Sequence, residues 1–166
     1  MTTARLLATW FGAGLLRPAP GTWGTAAGIP VGYLIHALGG PWLLLAGCVS
    51  LFLIGWWAVE EMTRGTADHD PKEAVVDEVV GVWVALLPVS FGLNAAGVDP
   101  WVFPWPGWVA AFVFFRIFDI WKVGPVGWAD RKSTPFYTML DDVIAGILAA
   151  IAVALSAYVA HVIFLV

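Results

Sequence analysis

Two pairs of adjacent carboxylates, Asp77–Glu78 and Asp141–Asp142, each open an apolar stretch of the chain. Only 12% of the residues are charged and 60% are apolar, so acids at the edge of a hydrocarbon-length helix are expensive to keep. A bound cation between them turns like-charge repulsion into coordination. Hard oxygen donors select Mg²⁺ rather than zinc. The single cysteine, Cys48, lies in an apolar run, and the three histidines (His36, His69, His161) are scattered.

Countercharge comes from FRIFDIWK, where Arg116, Asp119 and Lys122 recur every three residues and so share one helix face. A guanidinium at the hydrocarbon edge suits a phosphate oxyanion. The structural alternative is an Arg–Asp pair with a snorkelling lysine. Asp130 beside Arg131 reads equally well as a surface pair. In PGTWGT, the backbone at Gly21, Thr22 and Gly24 could cradle an anion ahead of a helix, with Thr25 as that helix's cap.

Helix-start chemistry accounts for some of the acids. Asp70, Pro71 and Glu73 suit the N-cap, first and third positions of a helix, and Thr138 with Asp141 makes a capping-box pattern. Asp77 and Asp142 are left over by this reading. Gly81 and Gly146 each follow an acid pair by a turn, which would let two helices approach closely.

The elements that must position these groups are apolar segments, at roughly Gly24–Leu38, Pro41–Val59, Ala74–Leu93, Pro106–Trp121 and Leu140–Phe164. Leu6–Leu16 is too short to span, because a straight crossing takes about 20 residues. The expected fold is an all-α integral membrane bundle of about five transmembrane helices with a short N-terminal interfacial or re-entrant helix. It forms one domain over residues 1–166. The N-terminus reads as retained rather than as a signal peptide.

All eight Lys and Arg residues then fall on one side, and the opposite loops around Gly39–Gly40 and Asn94–Trp105 contain none. The positive-inside rule makes the basic side cytoplasmic, with Trp101, Trp105 and Trp108 as an aromatic belt at the far interface. Almost every acid shares the cytoplasmic side; Asp99 is the exception. A net charge of −4 argues against a nucleic-acid partner. An ion or proton transporter is the rival class, and carboxylates confined to one interface argue against it. Cys48, followed by VSLFLIG, lacks the context of a cysteine phosphatase, and the RGTA before Asp68–His69–Asp70 is no buried strand carrying an aspartate nucleophile.

The order PGTWGT, then DP-KE and DE, then FRIFDIWK with a following Pro and WAD, then DDVIAG resembles the phosphatidylglycerophosphatase A family. The resemblance runs from about Trp10 to Ile151. It implies an Mg²⁺-dependent phosphatase in the bacterial inner membrane, multi-pass, with its active site on the cytoplasmic side. The implied reaction releases the terminal phosphate of a membrane phospholipid, phosphatidylglycerophosphate, to give phosphatidylglycerol. Carried onto this chain, it implies metal ligation by Glu73, Asp77, Glu78, Asp141 and Asp142. Substrate contacts fall to Arg116, Lys122, Gly21, Thr22 and Gly24, and catalytic roles to Asp70, Asp119 and Asp77. Attack by water and an aspartyl-phosphate intermediate both stay open. One departure stands out: the family's Pro-Trp-Pro-hydrophobic-Arg is here Val-Gly-Pro-Val-Gly, so a basic residue near Gly127 is missing and Arg131 or Lys132 would substitute.

Overall fold

The computed structural model describes residues 1–66 and 71–164. All regular structure among them is helical: α1 (Thr3–Ala8), a 3-10 turn (Ala13–Leu15), α2 (Pro20–Thr63), α3 (Val76–Ala95), α4 (Trp105–Trp121), α5 (Pro125–Asp130) and α6 (Pro135–Phe164). Proline sits in the first or second position of α2, α4, α5 and α6, where its missing N–H costs nothing. Among the described residues, α2, α3 and α6 are long and apolar enough to cross a membrane.

Helix α2 is not one rod. Gly39 and Gly40 leave helical geometry, with φ +65° at Gly40, a value that glycine reaches without strain. Gly24 packs on Val75 and Gly55 on Val76. In an unbroken helix those two glycines would stand about 46 Å apart. Residues 20–38 and 41–63 therefore fold back as a hairpin, divided where the expected first and second segments divide.

Helix α3 is the centre of the bundle. Val79, Val80, Val82, Trp83, Ala85 and Leu86 are all buried, covering every face of the helix, and α2, α4 and α6 pack around it. The outward faces carry Leu38, Trp42, Leu53, Val109, Ile151 and Leu155, all exposed. Such a surface suits hydrocarbon rather than water.

Several boundaries differ from the expected ones. Helix α3 starts at Val76 rather than at Asp70, and Asp70 itself lies outside the described residues. The Val75 N–H donates to the Ala8 carbonyl at 2.8 Å, and Arg5 pairs with Glu73 at 3.0 Å. Contacts to α1 therefore replace the expected first helical turn. Helix α6 starts at Pro135, so Thr138 is inside its first turns, donating its N–H to the Thr134 carbonyl, and is no cap. Thr25 likewise sits within α2, its hydroxyl donating to the Gly21 carbonyl at 2.7 Å. Trp108 is buried, stacked on Phe103 and edge-on to Tyr33, while Trp101 and Trp105 are exposed. Helix α5 was not expected; six residues are too few to show a period.

Candidate active site

The two acid pairs meet because α3 and α6 cross on glycine. A Cβ at Gly81 would lie 2.7 Å from the Asp142 carbonyl oxygen, and one at Gly146 would overlap the Gly81 carbonyl. Only glycine at both positions allows backbones this close. Asp77 and Asp142 each stand four residues before their crossing glycine, one turn away on the same side. Both are buried. Carboxylate oxygens of Asp77, Glu78 and Asp142 lie within 4.8 Å of one another.

Within each pair the first acid braces the second. The Glu78 N–H donates to Asp77 Oδ1 at 3.0 Å, and the Asp142 N–H donates to Asp141 Oδ1 at 3.0 Å. Position in the first turn of α3 also sets Asp77 and Glu78 at the positive end of that helix's dipole. That effect eases the burial of single acids, and a cluster of three remains uncompensated by it.

Two cations from the far end of α4 reach the cluster. Arg116 donates to Asp119 Oδ2 at 2.5 Å and lies 4.0 Å from Glu78 Oε1. Lys122 closes α4 in the left-handed region, with φ +49°, at a position usually given to glycine. A lysine in that conformation stores strain of order 1 kcal/mol, and such outliers concentrate at functional sites. Its ammonium holds both Asp130, delivered by α5, and Asp141 Oδ2 at 3.3 Å. Burial alone would lower the Lys122 pKa, but the hydrogen bond to Asp130 and the charges of Asp141 and Asp130 outweigh it and hold the group above its usual value.

The fourth wall is the start of α2. A Cβ at Gly21 would overlap Glu78 Oε1 and come within 3.2 Å of Arg116 Nη1, so the glycine lets the helix N-terminus abut the cluster. The first-turn N–H groups of a helix have no partner within it, and the positive end of the dipole points the same way. These elements enclose a cavity of about 340 Å³ into which Asp77, Glu78, Asp119, Asp141 and Asp142 project, together with Lys72, Arg116 and Lys122. Two buried atoms in this assembly, Glu78 Oε2 and Arg116 Nε, have no hydrogen-bond partner among the described residues.

Gly21, Asp77, Glu78, Arg116, Asp119, Lys122, Asp141 and Asp142 are thus brought together as the sequence suggested. Other candidates stand apart from the cavity. Glu73 is held by Arg5, and Gly24 is packed beneath Val75. Thr22 does not line the cavity. Arg131 follows α5 as an exposed residue. Asp130 pairs with Lys122 rather than with its neighbour Arg131. Asp141 does line the cavity, but it turns toward Lys122 and lies outside the three-acid cluster. The departure at Gly127 has a local reason: a Cβ there would come within 2.6 Å of the Lys122 carbonyl oxygen. Sequence reasoning missed Lys72 as a cavity residue, because the letters of its neighbours Asp70, Pro71 and Glu73 fit a helix start.

An all-helical bundle with a lipid-suited exterior and a buried acid cluster faced by Arg and Lys at one end defines a membrane-type protein with a polar, anion-compatible pocket. Residues 6–157 match the family described as phosphatidylglycerophosphatase A. The chain belongs to that enzyme family. It is 38% identical over 149 residues to the phosphatidylglycerophosphatase A of Haemophilus influenzae, covering 89% of this chain and 85% of that one. The Escherichia coli protein of the same name is 38% identical over 148 residues, covering 87% and 78%. A Bacteroides thetaiotaomicron protein with the provisional name phosphatidylinositol-3-phosphatase is 35% identical over 164 residues, 93% of each chain. No solved structure matches.

Proposed function

We propose that this protein hydrolyses the terminal phosphomonoester of phosphatidylglycerophosphate to phosphatidylglycerol, with Mg²⁺, at the cytoplasmic face of a bacterial inner membrane. The carrying observation is the convergence of Asp77, Glu78 and Asp142 beside Arg116 and Lys122 in one cavity. In this reading the two halves of α2, with α3, α4 and α6, form five spans of a single transmembrane domain. The acid pairs, Arg116 and Lys122 then lie at the interface that carries the basic loops.

The donor set fits a hard divalent cation: it is all oxygen, its three carboxylates converge, and one buried oxygen, Glu78 Oε2, lacks a partner among the described residues. Asp77, Glu78 and Asp142 would hold the ion. When bound, it supplies charge neutralisation and polarisation at a phosphate oxygen. Arg116, oriented by Asp119, presents its guanidinium to the phosphate oxygens. Lys122 stays charged across the working pH range and acts on the phosphate by charge, positioned by Asp130 and Asp141. The free N–H groups at the start of α2 add donors for the oxyanion. Asp119 orients the attacking water and accepts its proton; the new bond is water oxygen to phosphorus, the bond to the glycerol oxygen breaks, and that leaving oxygen takes up a proton from solvent to depart as the alcohol.

A transporter would place carboxylates along a path. Here the acids of α3, α4 and α6 gather at one end of the bundle. The provisional name of the Bacteroides relative motivates a second substrate, phosphatidylinositol 3-phosphate. The test is phosphate release by the purified protein in mixed micelles from both lipids and from phosphatidic acid. Preferential turnover of phosphatidylglycerophosphate supports the proposal; preference for the inositol lipid replaces it, and no release from any of the three refutes it.

A further inference from the structure

Among the described residues, each cavity cation except one has an ion-pair partner. Arg116 is engaged by Asp119 and Glu78, and Lys122 by Asp130 and Asp141. Lys72 also lines the cavity, yet among the described residues it has no ion-pair partner. Its adjacent acid, Glu73, is taken by Arg5 of α1. The backbone on both sides of Lys72 is fixed: the Ala74 N–H donates to the Pro71 carbonyl at 2.8 Å, and Val75 is bonded to Ala8. Lys72 is exposed, whereas Asp77, Asp141 and Asp142 are buried. It therefore stands at the rim of the cavity, above a floor made by the acid cluster and Arg116.

We propose that Lys72 binds the second phosphate of the substrate, the phosphodiester that joins the headgroup to diacylglycerol. This deepens the reading of the headgroup given above and rests on it. The reacting monoester is the group that needs Arg116, Lys122 and the acid cluster, and it occupies the floor. The diester is one glycerol unit away and carries a single negative charge. It must then lie nearer the mouth, where the Lys72 ammonium, on a flexible stem and without an ion-pair partner among the described residues, is the matching group. An exposed lysine costs nothing while solvated and gains a charge-assisted contact when the diester arrives. Lys72 would thereby favour lipids with a diester and a monoester over lipids with a monoester alone.

Two competitive inhibitors separate the subsites in the phosphate-release assay. Dihexanoyl phosphatidylglycerol offers the diester without the monoester, and inorganic phosphate competes for the monoester floor. In Lys72→Gln the inhibition constant for the short-chain diester should rise about tenfold, as for loss of one charged hydrogen bond. That for inorganic phosphate should stay within about twofold, and Lys72→Arg should restore the diester value. Unchanged constants for both, an equal rise in both, or a wild-type enzyme that the diester does not inhibit each overturn the Lys72 assignment. Inactivity of the wild type on phosphatidylglycerophosphate overturns the substrate reading instead, before any variant is compared.

Discussion

Replacing Gly146 with alanine tests whether the helix crossing builds the site. The new Cβ would overlap the Gly81 carbonyl oxygen and approach the Gly81 carbon and Val84 Cβ to 3.1 Å each. The obstacle is mostly backbone, so no side-chain rotation relieves it. Gly81→Ala meets the Asp142 carbonyl at 2.7 Å, short of an ordinary 3.4 Å contact by about 0.7 Å. Helices α3 and α6 must part by a comparable amount, and Asp77 and Asp142 ride on them one turn away. Mg²⁺ tolerates little spread in its ligand distances, and a displacement near 1 Å in a catalytic constellation costs roughly 100-fold in rate. The overpacking should also destabilise the fold by about 1–3 kcal/mol. The expected result is a drop in kcat near 100-fold with a raised Mg²⁺ requirement, in protein that still purifies as folded. Gly92→Ala is the control, since its Cβ meets nothing within 4 Å. Wild-type kcat and Mg²⁺ requirement in both Gly81→Ala and Gly146→Ala would refute the reasoning.

Glu73→Gln should leave turnover and Mg²⁺ requirement within about twofold, because the residue serves a partly exposed ion pair with Arg5 worth at most about 1 kcal/mol. A large rise in the Mg²⁺ requirement would instead return Glu73 to the metal site. Lys122 has its pKa raised in the folded protein, so its stabilising contribution is fully present below its ordinary value of 10.5 and is lost only as pH climbs through the raised one. Melting temperature in detergent should show an alkaline decline above that point that Lys122→Met removes; an identical decline in the variant would contradict the assignment.

The sequence carried the parts whose causes are local. Gly39–Gly40 divides two apolar runs because glycine releases the helix there, and the four-residue offset from each acid pair to Gly81 or Gly146 foretold the crossing. Arg116, Asp119 and Lys122 share a helix face by spacing alone. The misread features depend on contacts far along the chain. Asp70–Pro71–Glu73 has the letters of a helix start, but Val75 bonds to Ala8 and Glu73 to Arg5, 68 residues away. Trp108 suits an interface by type, yet Tyr33 and Phe103 bury it. Asp130 looked like Arg131's partner until a left-handed Lys122 and the short α5 turned the chain back on itself.

The central claim is that Asp77, Glu78 and Asp142 hold the divalent cation through which phosphate is released. Phosphate release from phosphatidylglycerophosphate, titrated against free Mg²⁺ for the wild type and for Asp142→Asn, tests it directly. The account predicts no wild-type activity in chelator, saturable recovery with Mg²⁺, and for the variant at least a tenfold higher Mg²⁺ requirement or no recovery. Full wild-type activity in chelator, or an Asp142→Asn titration that overlays the wild type, would contradict it.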